Sequence, residues 1–119
     1  MQDFQSLCQS RRSYRKYTDQ AVEQEKLDYI IRCALMSPAG KRMNPWHFVV
    51  IKNEDILRQL AGCRTYGSGM FDTAMAGIVV AADTSVIDTW QCDAAIAAQN
   101  IWLAAADQGL GACWCHVYQ

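Results

Sequence analysis

The sequence predicts one domain, residues 1–119, that mixes helices with short strands. Three observations carry this. Leu27, Ile30, Ile31, Ala34 and Leu35 recur at helical spacing. Two short continuous apolar runs, 46–51 and 76–82, have the length and the β-branched content of covered strands. An alanine-rich apolar run, 88–108, is too long for a strand and ends at a glycine.

Taken in order, the first helix is expected over residues 2–9, with Phe4 and Leu7 on one side. A basic stretch, Arg11-Arg12-Ser13-Tyr14-Arg15, comes next. The second helix covers residues 23–36 and stops at Ser37-Pro38, because proline disfavours helical geometry in the residue before it. Residues 37–45 are a loop by composition. In the strand 46–51, Trp46, Phe48 and Val50 share one face and Val49 and Ile51 the other, which predicts a central strand covered on both sides. His47 is the exception, and belongs at a sheet end or in a hydrogen bond. Asn53 or Glu54 opens a short helix through Leu60 with Ile56, Leu57 and Leu60 inward. Residues 62–73 are glycine-rich and irregular, and the second strand comes at 76–82. The helix 88–108 is capped by Asp88 or Thr89 and ended by Gly109. It is apolar on nearly every side, which predicts burial. In so small a domain full burial calls for a partner chain, so this helix is the candidate core of a homodimer. Residues 111–117 read as a further strand.

Composition narrows the function classes. Hydrophobic residues make up 51% of the chain, enough for a core. A formal net charge of −1 leaves no global basic field for nucleic acid or an anionic membrane. The basic cluster between Arg11 and Lys16 is local and suits a small anionic ligand better than a polymer. No apolar run reaches the roughly 20 residues of a membrane span. The N-terminus, MQDFQSLCQS, lacks the apolar stretch of a secretory signal. The cysteines at 8, 33, 63, 92, 113 and 115 mostly lie in helix-like or strand-like patterns, which predicts reduced, packed thiols and a cytoplasmic protein. Cys113 and Cys115 would share one strand face, but a metal site needs more ligands at recognisable spacing and no second pair exists.

Several catalytic signatures fail on their spacing. Gly67-Ser68-Gly69 has Asp72, and Gly109-Leu110-Gly111 has Trp114, where a dinucleotide fingerprint needs its third glycine. There is no phosphate loop ending in Gly-Lys-Ser/Thr and no G-x-S-x-G turn. A constellation of three stretches remains. RRSYR sets three arginines and a hydroxyl within five residues, the chemistry of a phosphate seat; a solvated basic turn is its plain alternative. SPAGKRMNPWHF is a loop of small and amide-bearing residues leading into a strand. GLGACW sets two glycines between the long helix and the expected strand; a helix cap accounts for Gly109 and leaves Gly111 over.

The order of these pieces is R-x-S-x-R after a helix, a helix ending in S-P, a polar loop into P-W-H-F-V-V, and an alanine-rich helix into G-L-G-A-C-W. It resembles the FMN-dependent nitroreductase family over essentially the whole chain. The resemblance implies an α+β fold with a mixed, largely antiparallel sheet flanked by helices, in a homodimer with FMN at the interface. By position it implies that Arg11, Ser13 and Arg15, with Arg12 beside them, meet the phosphate and ribityl chain. Pro38, Ala39, Gly40 and Asn44 would approach the flavin from the partner subunit, and Trp114, Cys115 and His116 would lie against its ring. Ala39, Gly40 and Arg42 stand where relatives often carry serine or asparagine. Relatives also continue past the position of Tyr118 with a further helix, a final strand and more basic residues, so the chain is expected to be incomplete at its C-terminus. The implied activity is oxidation of NAD(P)H and reduction of a nitroaromatic or quinone-type small molecule in a ping-pong cycle through flavin N5, with no side chain singled out as catalytic. A non-catalytic flavin binder and a flavin-free fragment stand as alternatives.

Overall fold

A computed structural model describes residues 3–117 of the chain. Its elements are α1 (Phe4–Ser10), α2 (Gln24–Leu35), β1 (Trp46–Ile51), α3 (Glu54–Leu60), β2 (Gly77–Ala82) and α4 (Trp90–Asp107). Short 3-10 turns at Gly40–Arg42 and Gly69–Asp72 lie in the two long loops. Residue 2, the expected start of the first helix, lies outside the described residues. Caps set several boundaries. Asp3 accepts the Ser6 N–H at 2.8 Å and opens α1, and Asn53 accepts the Ile56 N–H at 3.0 Å and opens α3. Helix α4 ends in a Schellman turn: Gly109, at φ 76°, donates to the Ala106 carbonyl, and Leu110 donates to Ala105 at 2.9 Å.

Strands β1 and β2 pair antiparallel, from Trp46 opposite Ala82 to Ile51 opposite Gly77. Cross-strand partners share a face, so Trp46, Phe48 and Val50 lie with Ala82, Val80 and Ile78 on one side. The Trp46 and Phe48 rings stack at 5.6 Å. Helix α2 packs on α4, and Ile30, Ala104 and Ala105 form a buried cluster joined by Ile78, Ile101, Leu110 and Ala112. Helix α3 packs mainly on the 3-10 turn at Gly69–Asp72, its Leu57 only 1% exposed. A side chain at Gly77 would stand 3.1 Å from Leu57, so the glycine admits the helix.

Three expectations need correction. Strand β1 is not covered on both faces among the described residues: Val49 is 51% exposed. In α3 only Leu57 is buried; Ile56 is exposed and Leu60 half-buried. Helix α4, whose full burial the sequence assigns to a partner chain, is buried within the chain along Asp93, Ala97, Ala104 and Ala105, while Ala95 and Ile96 face out. The reason is that α1, α2 and the sheet contact one side of it. Residues 111–117 do not form a strand. Their one ladder contact among the described residues is an isolated parallel bridge between Ala112 and Ser13. Extended, β-prone sequence becomes a strand only where a neighbour supplies the hydrogen bonds. No helix of the described residues is long and apolar enough to cross a membrane.

Candidate functional site

The basic stretch leaves α1 in extended conformation, Arg11 having φ −62° and ψ 132°. Two of its arginines are already engaged. The Arg11 guanidinium lies 4.4 Å above the Trp102 ring of α4, a cation–π contact. Arg12 turns back on α1 and donates to the carbonyls of Gln9 and Arg11. There its positive charge meets the negative end of the helix dipole. Trp102 also donates its indole N–H to the Arg12 carbonyl at 3.4 Å, so one α4 side chain holds two consecutive residues of the stretch. Ser13 and Arg15 are exposed.

The same stretch is tied to GLGACW. Ser13 bridges Ala112, and Tyr14 donates its backbone N–H to the Ala112 carbonyl at 3.0 Å. The Tyr14 side chain lies close against Gly111, where an added methyl would stand 2.9 Å from ring carbons. That close approach is the task of the second glycine. Tyr17 braces the turn from the other side. Its hydroxyl donates to the Tyr14 carbonyl and its N–H to Thr73 Oγ1 at 3.0 Å. Burial, helped by the nearby Cys113 thiol, pushes the Tyr17 phenol up to about 12, against the opposing pull of Arg15.

The third stretch lies elsewhere. Ser37 is buried and accepts the Asn100 amide at 2.7 Å. Gly40 donates its N–H to Asp93 Oδ1 at 3.1 Å, and Thr89 donates its hydroxyl to Asp93 Oδ2 at 3.0 Å. A side chain on Gly40 would overlap that Thr89 hydroxyl, so the position requires glycine. Lys41, Arg42 and Asn44 have φ of 52°, 58° and 47°, an unusual group of left-handed non-glycine residues held by the anchors on either side. Pro38 and Asn44 are exposed and Ala39 is half-buried. The loop is therefore fixed along α4, Ser37 to Asn100 and Gly40 to Asp93 in the first turn, whereas GLGACW leaves its last turn. Eighteen residues at 1.5 Å rise separate the two ends by about 27 Å. Among the described residues RRSYR and GLGACW meet, and the loop 37–45 is anchored on α4 instead.

Beyond the bridge, Trp114 and His116 are exposed and Cys115 is half-buried. The His116 carbonyl accepts the Arg64 guanidinium from the glycine-rich loop. Two residues that organise the site are not among those the sequence singles out. Asp93 was legible as an acid inside an otherwise apolar helix; its carboxylate is 3% exposed and fully used by Gly40 and Thr89. Trp102 carried no signal beyond its size. Among the described residues no group of His, Cys, Asp or Glu side chains could hold a metal ion.

A small antiparallel sheet between helices, with a basic segment laid beside a glycine turn at the end of a long helix, defines an α+β domain with a cationic edge. The sequence profile of the nitroreductase family matches residues 8–63 and 63–119, and the chain belongs to that family. A curated relative from Methanothermobacter thermautotrophicus, provisionally named as an NADH dehydrogenase/NAD(P)H nitroreductase, is 39% identical over 98% of this chain. The chain spans 62% of that relative's length. Among solved structures, an FMN-dependent nitroreductase from Clostridium difficile R20291 superposes with a TM-score of 0.93 at 42% identity, over 95% of this chain and 66% of the other. A protein from Desulfovibrio desulfuricans, provisionally named a nitroreductase and solved in complex with FMN, superposes with a TM-score of 0.83 at 29% identity, over 96% of this chain and 68% of the other.

Proposed function

We propose that the chain is an FMN-dependent NAD(P)H oxidoreductase that acts on nitroaromatic or quinone-type acceptors. The observation that carries this reading is the junction of Ser13 and Tyr14 with Ala112, which lays the arginine-rich stretch beside the turn after α4. The donor set there fits a flavin phosphate. Ser13 offers a hydroxyl and Arg15 an exposed guanidinium, while Arg11 and Arg12 add positive charge a few residues away. The FMN-dependence in the name of the Clostridium difficile relative supports the same choice of cofactor.

FMN, when bound, supplies hydride exchange between a nicotinamide and an acceptor. The chain's own residues bind and orient it. Ser13 and Arg15 hold the phosphate, Arg11 stays stacked on Trp102 and adds its charge from behind, and Trp114, Cys115 and His116 pack against the ring. Pro38, Ala39, Gly40 and Asn44, at the far end of α4, serve the flavin of a partner subunit in a homodimer. No side chain is assigned as a proton donor or acceptor.

The test is optical. The purified protein, or its apo form after addition of FMN, should show flavin absorbance that bleaches on adding NADH or NADPH without oxygen. The absorbance should return on adding a nitroaromatic or a quinone. A protein that takes up no FMN overturns the reading, and one that binds FMN without bleaching is a flavin binder and no reductase.

A further inference from the structure

The loop 37–45 carries two cations at positions where folding alone does not call for them. Lys41 and Arg42 have φ of 52° and 58°, and Asn44 has φ of 47°. Asparagine tolerates this left-handed region and glycine enters it freely, whereas lysine and arginine are strained there. The strain is held from outside. Gly40 donates to Asp93, Ser37 accepts the Asn100 amide, and the Pro45 carbonyl accepts the Asp83 N–H at 2.8 Å. Between these anchors residues 41–44 are all exposed. The ion pairs among the described residues are Lys26 with Glu23 and Arg58 with Glu54, so the charges of Lys41 and Arg42 are not paired there. Two consecutive cations are thus displayed on a strained loop that is fixed at both ends. Strain held in this way points to a ligand.

We propose that Lys41 and Arg42 bind the 2′-phosphate of NADPH and so make NADPH, rather than NADH, the electron donor. This rests on the flavin reading, in which Pro38, Ala39, Gly40 and Asn44 face the flavin of a partner subunit. The two cations fall inside that run, between Gly40 and Asn44. A nicotinamide that exchanges hydride with the flavin lies on its ring, and the adenosine end of the donor passes out over the rim of the site. NADPH and NADH differ only in the phosphate on the adenosine ribose. A phosphate monoester carries about −1.5 to −2 charge at pH 7. A guanidinium forks onto two of its oxygens and an ammonium adds a point charge, and an arginine accommodates the same 2′-phosphate in dinucleotide-binding folds. The diphosphate is common to both donors, so attraction to it does not separate them. The flavin phosphate has donors of its own in Ser13 and Arg15, which leaves this pair to a second anion.

The test compares the two donors. Asparagine keeps the left-handed backbone, so Lys41→Asn, Arg42→Asn and the double variant remove charge without forcing the loop. Initial rates of the FMN-loaded protein are measured with NADPH and with NADH. Each single variant should raise the KM for NADPH about ten-fold and leave kcat and the KM for NADH unchanged. A second readout needs no turnover. In calorimetric titration the parent should bind adenosine 2′,5′-bisphosphate about ten-fold or more tightly than AMP, and the double variant should lose that difference. Equal KM values for NADH and NADPH in the parent overturn the proposal and leave the flavin reading standing. So does a preference for the bisphosphate that the double variant retains. The parent measurements decide even if a variant fails to fold, and a parent that takes up no FMN overturns both readings.

Discussion

Arg11, Arg12 and Arg15 differ by one physical circumstance, the partner each guanidinium already has. Arg11 sits on Trp102 and Arg12 on the carbonyls at the end of α1. Arg15 is exposed on the segment that Tyr14 anchors to Ala112 and Gly111. A charge-assisted hydrogen bond contributes about 1.5–3 kcal/mol, so Arg15→Ala should weaken FMN binding roughly ten- to a hundred-fold. Riboflavin, which lacks the phosphate, should bind the variant and the parent alike. Arg12→Ala should weaken FMN less, because that guanidinium must first release its helix carbonyls. Fluorescence titration of the apo-protein with each ligand checks this, and equal weakening of both ligands by Arg15→Ala would remove Arg15 from the phosphate.

Helix α4 positions everything else. Its buried stripe, Asp93, Ala97, Ala104 and Ala105, meets α2, the sheet and the loop at Gly40. Its opposite stripe, Cys92, Ala95, Ile96 and Gln99, recurs at helical spacing and is exposed, with Ile96 40% open. Val49 and Val79 leave a second apolar area on the outer face of the sheet. Under the homodimer proposal the α4 stripe is covered by the other subunit. Sedimentation of the parent should give a dimer, and Ile96→Glu should shift it toward monomer, since a carboxylate in an apolar contact is left unpaired. A parent that sediments as a stable monomer would sink the proposal.

At the scale of the whole molecule, two tyrosines make stability depend on alkaline pH. Tyr17 is pushed from 10.0 up to about 12, chiefly by burial. Tyr29 is pushed from 10.0 up to about 12, chiefly because its hydroxyl donates to Asp107 at 2.8 Å and so links α2 to the end of α4. Both phenols are raised in the folded chain, so their contribution is fully present below pH 10. Between about 10 and 12 the unfolded chain loses these protons first and stability falls. The melting temperature should decline over that window, and more gently in Tyr17→Phe. An identical decline in Tyr17→Phe would show that Tyr17 does not contribute.

Local pattern settled where the elements lie. The strand 46–51 coincides with β1, and α2, α3, β2 and α4 fall within about two residues of their expected spans, because periodicity, N-caps and the glycine after α4 are short-range signals. The order of motifs also pointed to the nitroreductase family before any contact was known. Sequence could not determine which side of each element finds a neighbour. Residues 111–117 have strand-like composition but pair at Ala112 alone. Val49 and Ile96 are as apolar as their buried neighbours, yet nothing among the described residues covers them. The site was split in the same way. The chemistry of RRSYR and of GLGACW was legible in residue types, but Tyr14 against Gly111, Trp102 beneath Arg11 and Asp93 beneath Gly40 join residues far apart in sequence. Such contacts leave no periodic trace, because they are set by how the helices and loops pack; only the tertiary structure decided them.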